Sequence, residues 1–114
     1  MSQPRQLDSA LYRLLRNEQI AEFNAQKPQT GMIDLRGGDF RGLDLRQLDA
    51  SRIDFTDAYF RGADLRGLDL REAKLEGASI AHAQISGVYF PVQLSADEVL
   101  LSMQFGIRMR YRPT

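Results

Sequence analysis

From Ile33 to Val92 the chain runs in steps of five. Large apolar side chains return at Leu35, Phe40, Leu45, Phe55, Phe60, Leu65, Leu70, Leu75, Ile80, Ile85 and Phe90, and the one small member of the series is Ala50. Two residues before each stands a second series: Ile33, Gly38, Leu43, Leu48, Ile53, Ala58, Ala63, Leu68, Ala73, Ala78, Ala83 and Val88, every one small or apolar. Asp fills the place between them at Asp34, Asp39, Asp44, Asp49, Asp54, Asp64 and Asp69. Arg follows the large residue at Arg36, Arg41, Arg46, Arg61, Arg66 and Arg71.

Neither an α-helix nor a flat strand keeps such a series on one face. A helix advances roughly 100° per residue, so a five-residue period sweeps around its surface. A strand alternates faces every two residues, so successive fives land on opposite sides. The pattern therefore predicts a corner between pentads. If each pentad is one side of a four-sided coil, both apolar positions point inward and residues twenty apart stack. Leu35, Phe55 and Leu75 then form one column, and Phe40, Phe60 and Ile80 the next. Twelve pentads make three coils, and smaller residues such as Gly38, Ala58 and Ala78 fill the corners. Each coil meets only its neighbours, so a stem this short needs both open ends covered.

The flanks predict those covers. Leu7 to Gln26 reads as helical, with apolar Leu7, Leu11, Leu14, Leu15, Ile20 and Phe23, and a break at Arg16-Asn17 with Asn17 as an N-cap. Pro28 to Gly31 links to the first coil. Ser95-Ala96-Asp97-Glu98 has the form of a capping box, with Leu94 and Val99 spaced for a hydrophobic staple and Gly106 for a stop. Val99, Leu100 and Met103 are expected to lie on the last coil, with Phe105 or Ile107 as further candidates. The expected organisation is a helical cap and linker over 1–32, a repeat stem over 33–92, and a helical cap with a basic tail over 93–114.

Segments such as Gly-Asp-Phe-Arg-Gly (38–42), Ala-Asp-Leu-Arg-Gly (63–67) and Leu-Asp-Leu-Arg-Glu (68–72) resemble the A(D/N)Lxx motif of pentapeptide-repeat proteins. The resemblance covers about half the chain. It implies an all-β solenoid, a right-handed quadrilateral β-helix of about three coils, capped here by short α-helices at both ends. Tyr59, Lys74, Ser79, Gln84 and Tyr89 depart from the motif at the Asp or Asn place, and Ala50 at the central one.

Composition narrows the function. The chain has 114 residues and a formal net charge of +0, so one domain is expected. It has no Cys, which excludes disulfides, thiolate metal sites and a Cys nucleophile, and its only histidine is His82, expected on an outward corner. No apolar run approaches the roughly 20 residues of a membrane span, and the N-terminus has no signal-peptide core, so a soluble cytoplasmic protein is expected. No catalytic residue, cofactor-binding residue or metal ligand is assigned, and no enzyme activity or membrane partner is expected.

The expected function is therefore a non-enzymatic protein–protein interaction or scaffold role, with flat outer faces presented to a protein partner. A second copy bound through the C-terminal cap is one candidate. Tyr59 and Tyr89 are candidate interaction residues, as aromatics in an outward polar column. The tail carries Arg108, Arg110 and Arg112 around Tyr111. It suits either contact with an acidic or phosphate-bearing partner, or an edge strand packed through Ile107, Met109 and Tyr111; the packed reading is preferred. The alternative from another class is a nucleic-acid-linked regulator, through that tail or by mimicking DNA toward DNA gyrase, an activity some members of the family have. Mimicry needs a long negative surface. Residues 31–72 hold seven Arg against eight Asp and one Glu, so Asp and Arg side chains are expected to cancel in solvated pairs. The tetrapeptide Gly37-Gly38-Asp39-Phe40 stays in phase with the repeat and is read as part of it.

Overall fold

A computed structural model describes Pro4, Leu7 and residues 9–113. The helical expectation at Asp8 and the terminal Thr114 lie outside the described residues. Regular elements are few: α1 (Ala10–Arg16), α2 (Ile20–Gln26), β1 (Ile33–Asp34), β2 (Ile53–Asp54) and α3 (Ala96–Phe105). Strands β1 and β2 pair in parallel, Ile33 with Ile53 and Asp34 with Asp54.

The same offset of twenty governs the irregular remainder. Parallel bridges join Asp39 to Tyr59 and Tyr59 to Ser79, Asp44 to Asp64 and Asp64 to Gln84, Asp54 to Lys74, and Asp69 to Tyr89. Between them the chain turns every five residues. Most turns are closed by a hydrogen bond from the small inward residue to the large one three positions earlier, as from Gly38 N–H to Leu35 O at 3.2 Å and Ala63 N–H to Phe60 O at 2.9 Å. The residue before ten of the twelve small ones takes a left-handed φ, at Gly37, Gly42, Gly62, Gly67, Gly77 and Gly87, but also at Gln47, Arg52, Asp57 and His82. Glycine recurs there because it alone adopts that φ without steric cost. Gly38 is glycine for another reason: a Cβ there would lie 2.7 Å from the Phe40 ring.

Both apolar series point inward. Every member of the large series from Leu35 to Ile80 is buried; Ile85 and Phe90 are half-buried. In the smaller series only Val88 is not fully buried. Phe40 and Phe60, twenty residues apart, stack with centroids 5.3 Å apart, and Phe55 meets both edge-on at 5.3 and 5.1 Å. Burying each large side chain stabilises by roughly 1.5–3 kcal/mol.

The first layer is covered by α1 and α2. Leu15 and Phe23 are fully buried, and Tyr12 packs edge-on against Phe40 at 5.5 Å. The sequence placed an N-cap at Asn17. It is instead the C-cap of α1, its N–H bonded to Arg13 O, and the cap residue of α2 is Gln19. The chain reverses through Glu18 at φ 57°, so two more residues are used before α2 starts.

At the other end α3 starts as its sequence predicts: Ser95 Oγ accepts from Glu98 N–H at 3.2 Å, Leu94 and Val99 are buried, and Gly106 closes the helix at φ 74°. The reciprocal half of a capping box is replaced. The Glu98 carboxylate accepts from Arg110 Nη2 at 2.6 Å, Nε at 3.0 Å and N–H at 3.1 Å, because a charged fork outcompetes a lone amide. The inward face of α3 is Val99, Ser102 and Met103. Leu100, Phe105 and Ile107, expected on the last coil, are 47%, 72% and 38% exposed. Leu100 follows Val99 directly, which turns it about 100° away from the contact.

Candidate interaction surfaces

The outer walls are built from one local device. An Asp carboxylate accepts both the backbone N–H and the guanidinium of the Arg two residues on. The ion pairs are Arg36–Asp34 at 2.9 Å, Arg41–Asp39 at 2.8 Å, Arg46–Asp44 at 2.8 Å, Arg66–Asp64 at 2.7 Å and Arg71–Asp69 at 2.8 Å. Arg46 also reaches up to Asp64 at 3.3 Å, linking two layers. These charges are spent on the wall itself, so the Arg46–Arg66 column offers little free field to an anion. Arg61 follows Tyr59 rather than Asp and has no carboxylate partner among the described residues.

Hydrogen bonds from the Arg46 and Arg71 side chains hold the Asp44 and Asp69 carboxyls down at about 2, below their ordinary 3.8. Asp64, and Glu98 beside Arg110, are lowered for the same reason. The unfolded chain takes up these protons first as pH falls. Stability contributed by the pairs is thus fully present above about pH 4 and is lost progressively between about 4 and 2. Urea denaturation midpoints measured across that range should fall with pH, and a flat profile would show the pairs to be unformed. The Arg36–Asp34, Arg46–Asp44 and Arg71–Asp69 pairs are solvent-exposed and individually weak.

The candidate residues separate into two sets. Tyr59 is half-buried and engaged: Arg108 Nη2 donates to Tyr59 Oη at 2.5 Å, with the guanidinium carbon 5.2 Å from the ring centroid. Arg108 Nη1 also donates to Gly77 O at 3.0 Å and Asp57 Oδ1 at 3.2 Å. Arg110 is paired with Glu98 at 2.6 Å. Arg112 is exposed and has no carboxylate partner among the described residues, while its N–H donates to Gln93 O at 2.9 Å. Tyr89 is 59% exposed, with Arg71 over its ring at 4.8 Å.

The tail packs. Met109 is fully buried, its N–H donating to Ala78 O and its O accepting from Gly77 N–H, and Tyr111 Oη accepts from Leu75 N–H at 2.9 Å. Two of its three arginines are thereby fixed within the molecule.

One feature carried too weak a sequence signal to be singled out. Lys27 is buried beneath the first layer, its ammonium donating to Asp49 O at 2.8 Å, to Ser51 O and to Ser51 Oγ at 3.1 Å, and pairing with Asp49 at 3.2 Å. Its place just before Pro28 looks like linker. Exposed apolar side chains gather at the C-terminal end: Val92, Leu100, Leu101, Phe105 and Ile107. Among the described residues, Ile85 N–H, Gly87 N–H and Ala83 O on one side of the last layer have no backbone partner.

Among the described residues no cluster of three or more His, Cys, Asp or Glu could hold a metal, and no helix is long and apolar enough to cross a membrane. The parallel stacking at an offset of twenty and the inward five-residue series define a repeat protein. The family model for pentapeptide repeats matches residues 53–90 in eight copies, so this stretch of the chain belongs to that repeat family. No curated protein and no solved structure matches the chain.

Proposed function

We propose that the chain is a non-enzymatic protein-interaction or scaffold protein of the cytoplasm, its repeat segment a right-handed quadrilateral β-helix of about three coils over residues 33–92. Bridges that always span twenty residues, and corners every five, support the four-sided geometry. In this reading residues 1–32 and 93–114 close the two ends. The walls hold outward side chains in a fixed grid, so a partner meets a surface that loses little entropy on binding.

The observation that carries the interaction role is Tyr89. It stands mostly exposed in an otherwise polar outward column, stacked with Arg71. Tyr and Arg are the residue types that anchor protein interfaces. Immobilised wild-type protein is expected to retain a specific cellular protein that Tyr89→Ala releases, while Tyr59→Ala, altered at a ring already engaged by Arg108, retains it. Equal capture by the wild type and Tyr89→Ala would refute this surface. DNA binding is expected to be absent at low salt, since Arg108 and Arg110 are held internally.

A further inference from the structure

One wall arginine lacks the acceptor that the others share. At Asp34, Asp39, Asp44, Asp64 and Asp69 a single carboxylate accepts three donors of the arginine two residues on: the backbone N–H at 3.1–3.2 Å, Nε at 2.8–3.0 Å and Nη2 at 2.7–3.0 Å. Before Arg61 the carboxylate is replaced by Tyr59. The corner itself is unchanged. Gly62 takes φ 67° against 72° at Gly42, and Gly62 N–H donates to Ala81 O as Gly42 N–H does to Arg61 O, both at 2.8 Å. Arg61 therefore presents the same donor types at the equivalent place. Its side chain is exposed, and neither that side chain nor its N–H has an acceptor among the described residues.

The surroundings leave room there and favour an anion. The Tyr59 hydroxyl is turned to Arg108, whose Nη2 donates to it at 2.5 Å. Ala81, twenty residues on and one layer above Arg61, is small and buried, so it puts no bulk over the guanidinium. Arg41 lies one layer below and is already paired with Asp39 at 2.8 Å, and Arg108 is paired with Asp57 at 3.2 Å. Three guanidinium groups thus meet two carboxylates, and the charge left over is that of Arg61. The wall itself shows which chemical group completes such a donor set. In every other copy it is a carboxylate, whose two oxygens match an amide and the edge of a guanidinium.

We propose that Arg61 and its backbone N–H form a carboxylate seat that takes an Asp or Glu side chain from an acidic segment of a partner protein. A lone exposed carboxylate–arginine contact is weak, so the acid arrives on a chain whose other residues also lie against the wall. The seat is on a different wall from Tyr89, and the two readings fail separately. The probe is an acetylated, amidated peptide of alternating Asp and Gly, with the Asn–Gly peptide as its uncharged control. In NMR titrations at low salt the Arg61 N–H and Nε–H resonances should move with the Asp peptide and stay still with the control. Arg61→Gln should weaken binding by about tenfold or more, and Arg61→Lys nearly as much, because an ammonium has no fork to match the carboxylate. Tyr89→Ala should leave binding unchanged. Tyr59→Asp gives the wall back its own acceptor. In that variant the Arg61 N–H should resemble the other wall arginine amides without any peptide, and the peptide should bind about tenfold less tightly although Arg61 is intact. Arg61 resonances that ignore the Asp peptide, Arg61→Lys binding like the wild type, or undiminished binding by Tyr59→Asp would each overturn the proposal.

Discussion

Replacing Phe40 by alanine is expected to destabilise the fold by about 3–5 kcal/mol, the largest effect of any single side chain. Phe40 is fully buried and touches three other rings: Phe60 stacked above it in the same column, and Phe55 and Tyr12 edge-on. Tyr12 belongs to α1, so the ring joins the N-terminal helices to the first two layers. Truncation removes apolar contact from both sides at once. Collapse is restricted, because Gly38 already packs against the Phe40 ring and the surrounding backbone is tied by interlayer hydrogen bonds. Chemical denaturation of the purified variant measures the loss, and a cost below about 1 kcal/mol would mean that this column does not face the interior.

The second large effect is expected at Lys27. Lys27→Met keeps the aliphatic stem in place and removes only the ammonium. Asp49 O and Ser51 O then lose their donor beneath the first layer, at a cost of about 1–3 kcal/mol. The Asp49 carboxylate is half exposed and recovers water, so the carbonyls rather than the ion pair set the size of the effect. Salt separates the two origins. The loss should persist at high ionic strength, whereas the Asp–Arg pairs of the walls are screened. Unchanged stability in Lys27→Met would mean that the α2-to-stem connection is held by Phe23 packing and the Asn24 hydrogen bonds to Gln47 and Asp49.

Much of the stem was legible in the sequence because its constraint is local and repeated. Each inward pair is read from five residues, and each Asp–Arg pair from three. The half-exposure of Ile85 and Phe90 was not legible, since both obey the pattern fully and differ only in having no layer above them. The glycines at Gly37, Gly42, Gly62, Gly67, Gly77 and Gly87 were a readable signal of the corners, and the left-handed φ of Gln47, Arg52, Asp57 and His82 shows the same corner forced on ordinary residues by the bonds on either side. Around α1 and α2 the sequence placed the break correctly and the cap wrongly. Asn17 serves either end of a helix, and the reversal through Glu18 is set by docking onto the first layer.

Among the candidate residues, Tyr59 and Tyr89 look alike in sequence, occupying equivalent places thirty residues apart. Arg108 of the tail holds the hydroxyl of one, while the other carries only Arg71 of its own wall and stays mostly exposed. That difference depends on where a tail fifty residues later crosses the stem. The three tail arginines are likewise indistinguishable as a charge cluster, yet two are held by Asp57, Tyr59 and Glu98.

The amino-acid sequence by itself determined the five-residue corner, the two inward series and the neutral walls, because each follows from side chains within one pentad and from stacking at a constant offset. Only the tertiary structure decided which wall residues stay available and which side of the last layer stays open. Both depend on the path of a single non-repeating segment, α3 and its tail, whose hydrogen bonds are long-range and leave no periodic trace in the chain.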